Sequence, residues 1–135
     1  CEKIMSLVRF SYSENPVEDL KKKIRHTYDL HQMIGKNEIN EFFKSKDFDQ
    51  MMIKVANDDI LSFKKNNQWL EHHPSNAKIF SECETVWSEL KSTYNGEFKN
   101  LVFGDLPDER KILETLLTIK SRLSEISWNI NKILQ

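Results

Sequence analysis

Ile112, Leu116, Ile119, Leu123, Ile126, Ile130 and Ile133 recur at spacings that alternate between four and three residues. A mean period of 3.5 keeps one apolar stripe on one side of a helix, a pattern that a strand of period two does not present. The segment from Asp108 to the end is therefore predicted to be a helix with a seam of about three heptads. Internal packing in a bundle is the preferred reading of a seam this short, ahead of a dimer zipper. The other segments carry the same kind of signal. The 135 residues include only three Gly and three Pro, and runs of alternating β-branched residues are absent. The expected fold is all-α, a helical bundle of about five to six helices with two long C-terminal helices packed antiparallel. Residues 1–135 are expected to form a single helical domain.

A first helix is read over residues 2–13, with Ile4, Leu7 and Val8 as its apolar face. Asn15-Pro16 opens a second, with Asn15 as N-cap, Pro16 at the first helical position and Glu18 as the capping carboxylate. This helix is expected to run unbroken to Ile34 and to stop at Gly35. A short amphipathic piece follows over residues 38–43, with Ile39, Phe42 and Phe43 facing inward, then a helix from about residue 45 carrying Phe48, Met51, Met52, Val55, Ile60, Leu61 and Phe63. Residues 66–76 form the longest predicted loop. Phe80, Cys83, Trp87, Leu90, Tyr94, Phe98 and Leu101 mark a long helix with Gly96 as its weak point. Gly104-Asp105-Leu106-Pro107 is the last break.

Apolar runs of two or three residues are too short to cross a membrane or to serve as a secretory signal core. The expected location is cytoplasmic. A net charge of −1 gives no global field for nucleic acid, so any such contact must come from a local patch. Cys1 and Cys83 fit no disulfide or metal pattern and read as inert thiols. The chain opens on Cys1 with helical pattern from the start, which reads as a piece of a longer protein.

The residues with chemical potential lie in two neighbouring segments. Lys22, Arg25, His26 and Asp29 project onto one face of the second helix, with Val17, Leu20, Ile24, Tyr28 and His31 opposite. Lys3, Ser6, Arg9 and Ser13 form a strip on the first helix, and a helical hairpin is expected to bring Lys3 and Arg9 to that charged face. Cations so arranged neutralise phosphate oxygens, and an enclosed Asp orients a hydroxyl or a metal ion. Asp47-Phe48-Asp49 reads as helix-start acids rather than a metal pair. The histidines do not read as a metal site: His26 and His31 point about 140° apart, and His72-His73 are adjacent. Trp69, Trp87 and Trp128 read as core or loop anchors. Lys64 to Gln68 and Lys91 to Lys99 read as solvated faces that lie open to RNA phosphates.

The stretch Cys1-Glu2-Lys3-Ile4-Met5-Ser6-Leu7-Val8-Arg9-Phe10, followed by Lys23-Ile24-Arg25-His26-Thr27-Tyr28-Asp29-Leu30-His31-Gln32-Met33, resembles the middle of the AbiEii/AbiGii toxin family of nucleotidyltransferases. These are toxins of type IV toxin–antitoxin and abortive-infection systems. The resemblance covers residues 1–34 and matches Lys3 to the lysine of a Lys-x-x-Ala-x-x-x-Arg helix and Asp29 to the aspartate of Arg-x-x-x-Asp-Leu. Ser6 stands where Ala is usual. Arg9 comes one residue early, a shift that rotates it by about 100°. The resemblance implies catalytic roles for Asp29 and Lys3, and substrate or phosphate binding by Arg9, Lys22, Arg25 and His26. It also implies Mg²⁺ in the complete enzyme, an NTP with tRNA as an acceptor, and an antitoxin partner. The family's Gly-Ser motif and paired strand acids are missing, so this chain alone is expected to be inactive and to bind no cofactor.

Two other readings stand beside it. Arg25-x5-His31 satisfies the loose Arg-x4–6-His pattern of HEPN-like helical ribonucleases, although on a continuous helix these residues lie about 120° apart. The remaining reading is a helical interaction domain without catalysis.

Overall fold

The helix α1 (Glu2–Phe10) buries Ile4, Met5, Leu7 and Val8 almost completely. These four residues span about 160° of its circumference, wider than the stripe a surface helix needs. The helix is correspondingly enclosed, packing against α2 (Pro16–Lys21), α3 (Ile24–Ile34), α5 (Lys46–Ser62) and α6 (Lys78–Ser81). The remaining α-helices are α4 (Asn37–Lys44), α7 (Cys83–Thr93) and α8 (Glu109–Leu123). The computed structural model describes residues 1–65, 67–102 and 104–128. Among these, all regular structure is helical, in eight α-helices rather than five or six.

Two predicted helices are divided. The helix expected over residues 15–34 breaks at Lys22-Lys23, where Lys23 leaves helical geometry at φ −109° and ψ 20°. Its ammonium sits 5.1 Å from the centre of the Phe10 ring, a cation–π contact that draws this turn toward the end of α1. The helix expected over residues 80–101 is split into α6 and α7, then continues as a π-helical turn over Tyr94–Phe98 and a 3₁₀ turn over Lys99–Leu101. Gly96 lies inside the π turn, where low helix propensity makes the altered winding cheap. Gly104 follows with φ +87°, a left-handed conformation that glycine adopts without strain.

The heptad seam faces inward. Ile112, Leu116, Ile119 and Leu123 are fully buried, and α8 packs against α3, α6 and α7. The helix ends at Leu123, three residues before Ile126, which is nonetheless buried. Ile130 and Ile133 lie outside the described residues. Phe42, Met51, Leu61 and Leu101 were expected on apolar faces and are exposed.

α8 also supplies a polar tie. Arg122 donates from Nε to the Phe43 carbonyl at 2.7 Å and from Nη2 to the Ser45 carbonyl at 2.9 Å. Nη2 also pairs with Asp49, and the guanidinium lies 4.9 Å over the Phe48 ring. The Phe43 carbonyl lies in the last turn of α4, where no intrahelical N–H satisfies it, and the Ser45 carbonyl also accepts from the Phe48 backbone N–H at 3.2 Å. Arg122→Met is expected to cost about 2–4 kcal/mol, because it strands the Phe43 carbonyl and the Asp49 carboxylate together. Asp49→Asn should cost about 1 kcal/mol. Urea unfolding followed by circular dichroism measures both, and equal losses would mean that the carboxylate alone gives Arg122 its value.

Candidate functional site

Lys3 and Arg9 leave α1 at opposite margins of its buried arc, about 120° apart. That separation decides which sequence-predicted residues meet. Lys3 reaches the α1–α3 seam, where its Nζ lies 3.2 Å from Asp29 Oδ2. Arg25, one turn earlier on α3, brings Nε to 3.7 Å from the same oxygen. The Asp29 side chain is 22% exposed, against 78% for Arg25, so the carboxylate is recessed beneath its cations.

His26 completes this cluster. It is half-buried, and its Nδ1 is enclosed without a hydrogen-bond partner. Burial lowers its pKa, the Lys3 and Lys23 charges lower it further, and Asp29 opposes them. The imidazole is thereby biased toward its neutral form beside two ammonium groups. Lys3, Arg25, His26 and Asp29 thus come together as the hairpin argument expected.

Lys22 and Arg9 do not join them. The break after α2 removes Lys22 from the α3 face, and its nearest carboxylate is Asp19 at 3.9 Å. Arg9 turns toward α5 and lies between two rings, its Cζ 4.7 Å from the centre of Phe10 and 4.7 Å from that of Phe63. The first-helix strip accordingly splits, since Ser6 and Arg9 share a cleft with Val55, Asp58 and Asp59 of α5.

The cluster by itself does not suit the Mg²⁺ that the family resemblance implies. Mg²⁺ requires a nearly octahedral set of oxygens, whereas here one carboxylate stands among cations. Among the described residues, no group of three or more His, Cys, Asp or Glu side chains converges.

The other histidines have structural partners. Thr115 Oγ1 on α8 donates to the Lys111 carbonyl at 3.0 Å, so at 2.7 Å it accepts from His31 Nδ1. Burial lowers the His31 pKa, with a smaller contribution from Lys111. His73 Nδ1 accepts from the Ser75 backbone N–H at 3.1 Å, which leaves Nε2 to donate to the Ile126 carbonyl at 2.8 Å. His72 stacks on Tyr12 with ring centres 5.6 Å apart. Burial pushes the Cys83 thiol up to about 11, in keeping with an unreactive core residue. The clamp on Arg9 and the Thr115 and Ile126 partners escape sequence reasoning because each joins segments far apart in the chain.

An all-α bundle with a recessed carboxylate at a helix–helix seam is what fold and site define. No family model, curated protein or solved structure matches the chain.

Two measurements test the electrostatics. The folded state disfavours the imidazolium forms of His26 and His31, while the unfolded chain takes up protons near the ordinary histidine value of 6.5. Their contribution to stability is therefore complete above that value and falls as the pH drops through it. Comparing urea midpoints at about pH 7.5 and about pH 5.5 should give a smaller loss for His26→Gln than for the wild type. An equal loss would assign the dependence elsewhere. A double-mutant cycle with Lys3→Gln and Asp29→Asn should give a coupling of about 0.5–1 kcal/mol, as expected for a partly exposed pair. A coupling of about 3 kcal/mol would mark the pair as a structural element of the bundle.

Proposed function

We propose that this chain is the C-terminal helical part of a nucleotidyltransferase toxin of the AbiEii/AbiGii kind, acting in the cytoplasm. The observation that carries this reading is the 3.2 Å approach of Lys3 to Asp29, since these are the two residues that the family resemblance equates with essential groups. Their meeting depends on α1 packing along α3, so a match of short motifs in sequence corresponds to a joint location in space.

On this reading the Lys3 ammonium binds triphosphate oxygens as a point charge, and exchanges Asp29 for phosphate when the nucleotide arrives. Asp29 then accepts the proton of the attacking hydroxyl of the acceptor, for which tRNA is the proposed source. The hydroxyl oxygen forms a bond to the α-phosphorus as the bond from that phosphorus to the bridging oxygen breaks, and pyrophosphate leaves. Arg25, exposed above the carboxylate, and His26 beside it support the phosphates or the acceptor RNA. The acids that would hold Mg²⁺ belong to a catalytic core preceding Cys1, which makes this chain alone inactive. Residues 36–135 shape the acceptor groove, with α7 and α8 as an antiparallel pair, and offer the surface for an antitoxin.

The ribonuclease reading has less support. His31 is engaged with Thr115 across the α3–α8 contact, whereas Arg25 is directed to Asp29.

In the longer protein, Asp29→Asn and Lys3→Gln should each lower transfer of labelled nucleotide to RNA by about 100-fold, the scale of losing one charged contact to the reacting groups. Their melting temperatures should stay within about 4 °C of the wild type. Either variant folded and fully active would overturn the proposal.

A further inference from the structure

The cleft holding Arg9 lies between the end of α1 and the residues Phe63, Lys65, Gln68 and Trp69, and has a volume of about 570 Å³. Its walls include Phe10, Tyr12, Phe63, Trp69 and the exposed Lys65. The Arg9 guanidinium is held against the Phe10 and Phe63 rings, its Cζ 4.7 Å from the centre of each. Among the described residues its N–H groups reach no hydrogen-bond acceptor, and no carboxylate lies within ion-pairing distance. Asp59 on α5 is near enough for Arg9 to lower its pKa against the effect of burial, without forming a pair. A half-buried arginine fixed against two rings, with no acceptor for its N–H groups among the described residues, is organised for an anion, and its planar fork suits phosphate.

The surroundings add a second chemistry. Tyr12 and His72 stack with an interplanar angle of 14°, giving an aromatic face at the side of the cleft. His72 is exposed, so the outer side of that stack is open to solvent. Lys23 lies over Phe10 and adds a third cation beside Arg9 and Lys65. The carboxylate lining the cleft, Glu14, is exposed and therefore screened by water. Aromatic faces alternating with cations are what recognise a strand of bases and phosphates without reading its sequence.

We infer that the cleft between the end of α1 and the residues Phe63, Lys65, Gln68 and Trp69 binds single-stranded polynucleotide, with Arg9 and Lys65 on phosphates and the Tyr12–His72 stack receiving a base. This site is separate from the Lys3–Asp29 seam and does not depend on the nucleotidyltransferase reading. It gives Lys65 a ligand where sequence pattern alone suggested a solvated face.

Fluorescence anisotropy with a fluorescein-labelled single strand of about ten nucleotides, in RNA and DNA arms, tests the assignment on the 135-residue chain. Lys65→Glu and His72→Ala are expected to weaken binding about tenfold each, both being surface changes that leave the core intact. Arg9→Gln should reduce the dependence of log affinity on log salt by about 0.7, the signature of one lost phosphate contact. Lys44→Glu, which makes the same charge change on α4, should bind like the wild type. Binding in both arms, or in the RNA arm with the 2′-hydroxyl also read, supports the assignment. Absence of binding to either strand at about 100 μM protein would overturn it. So would equal weakening by Lys44→Glu and Lys65→Glu, which would reduce the effect to net charge.

Discussion

The enclosure of α1 is the constraint on which the rest of the structure depends. Ile4, Met5, Leu7 and Val8 each lose nearly all contact with water, which contributes about 1.5–3 kcal/mol per side chain. Four neighbouring helices are needed to cover an arc that wide. The polar residues of α1 are thereby confined to the seams at its margins, and cannot form the continuous charged strip that a surface helix would carry. Lys3 is directed to α3 and Arg9 to α5, and the separation of these two cations follows from the apolar residues between them.

The same constraint explains why the Lys3–Asp29 pair contributes little to the fold. The α1–α3 contact is already held by buried apolar side chains, and an ion pair with a lysine side chain 37% exposed is worth about 0–1 kcal/mol. Arg122 has the opposite character. It is one-tenth exposed, serves two carbonyls and a carboxylate, and joins α8 to the α4–α5 turn. The molecule therefore separates charges that hold its elements together from charges that are recessed and partly wet.

Much of this architecture was legible in the sequence. The 4-3 seam gave α8 and its inward face, the scarcity of Gly and Pro gave an all-helical chain, and the hairpin of the first helices led to the meeting of Lys3 with Asp29. Where the reading failed, the cause was tertiary. Helical projection assumes an unbroken axis, so the turn at Lys22-Lys23 displaced Lys22 from its expected face. The π turn at Tyr94–Phe98 keeps Phe98 buried, but the 3₁₀ turn that follows it leaves Leu101 exposed. The aromatic clamp on Arg9 draws one ring from α1 and the other from beyond the end of α5, a pairing that no local pattern encodes.

Exchanging the two charges at the seam tests the central claim most directly. In the longer nucleotidyltransferase proposed above, a Lys3→Asp, Asp29→Lys double variant keeps an ion pair between α1 and α3 while reversing which helix carries the cation. If the pair exists for chemistry, the double variant should match the wild type in melting temperature and lose nucleotide transfer. Restoration of transfer together with stability would contradict the account, reducing Lys3 and Asp29 to an ordinary bond between helices.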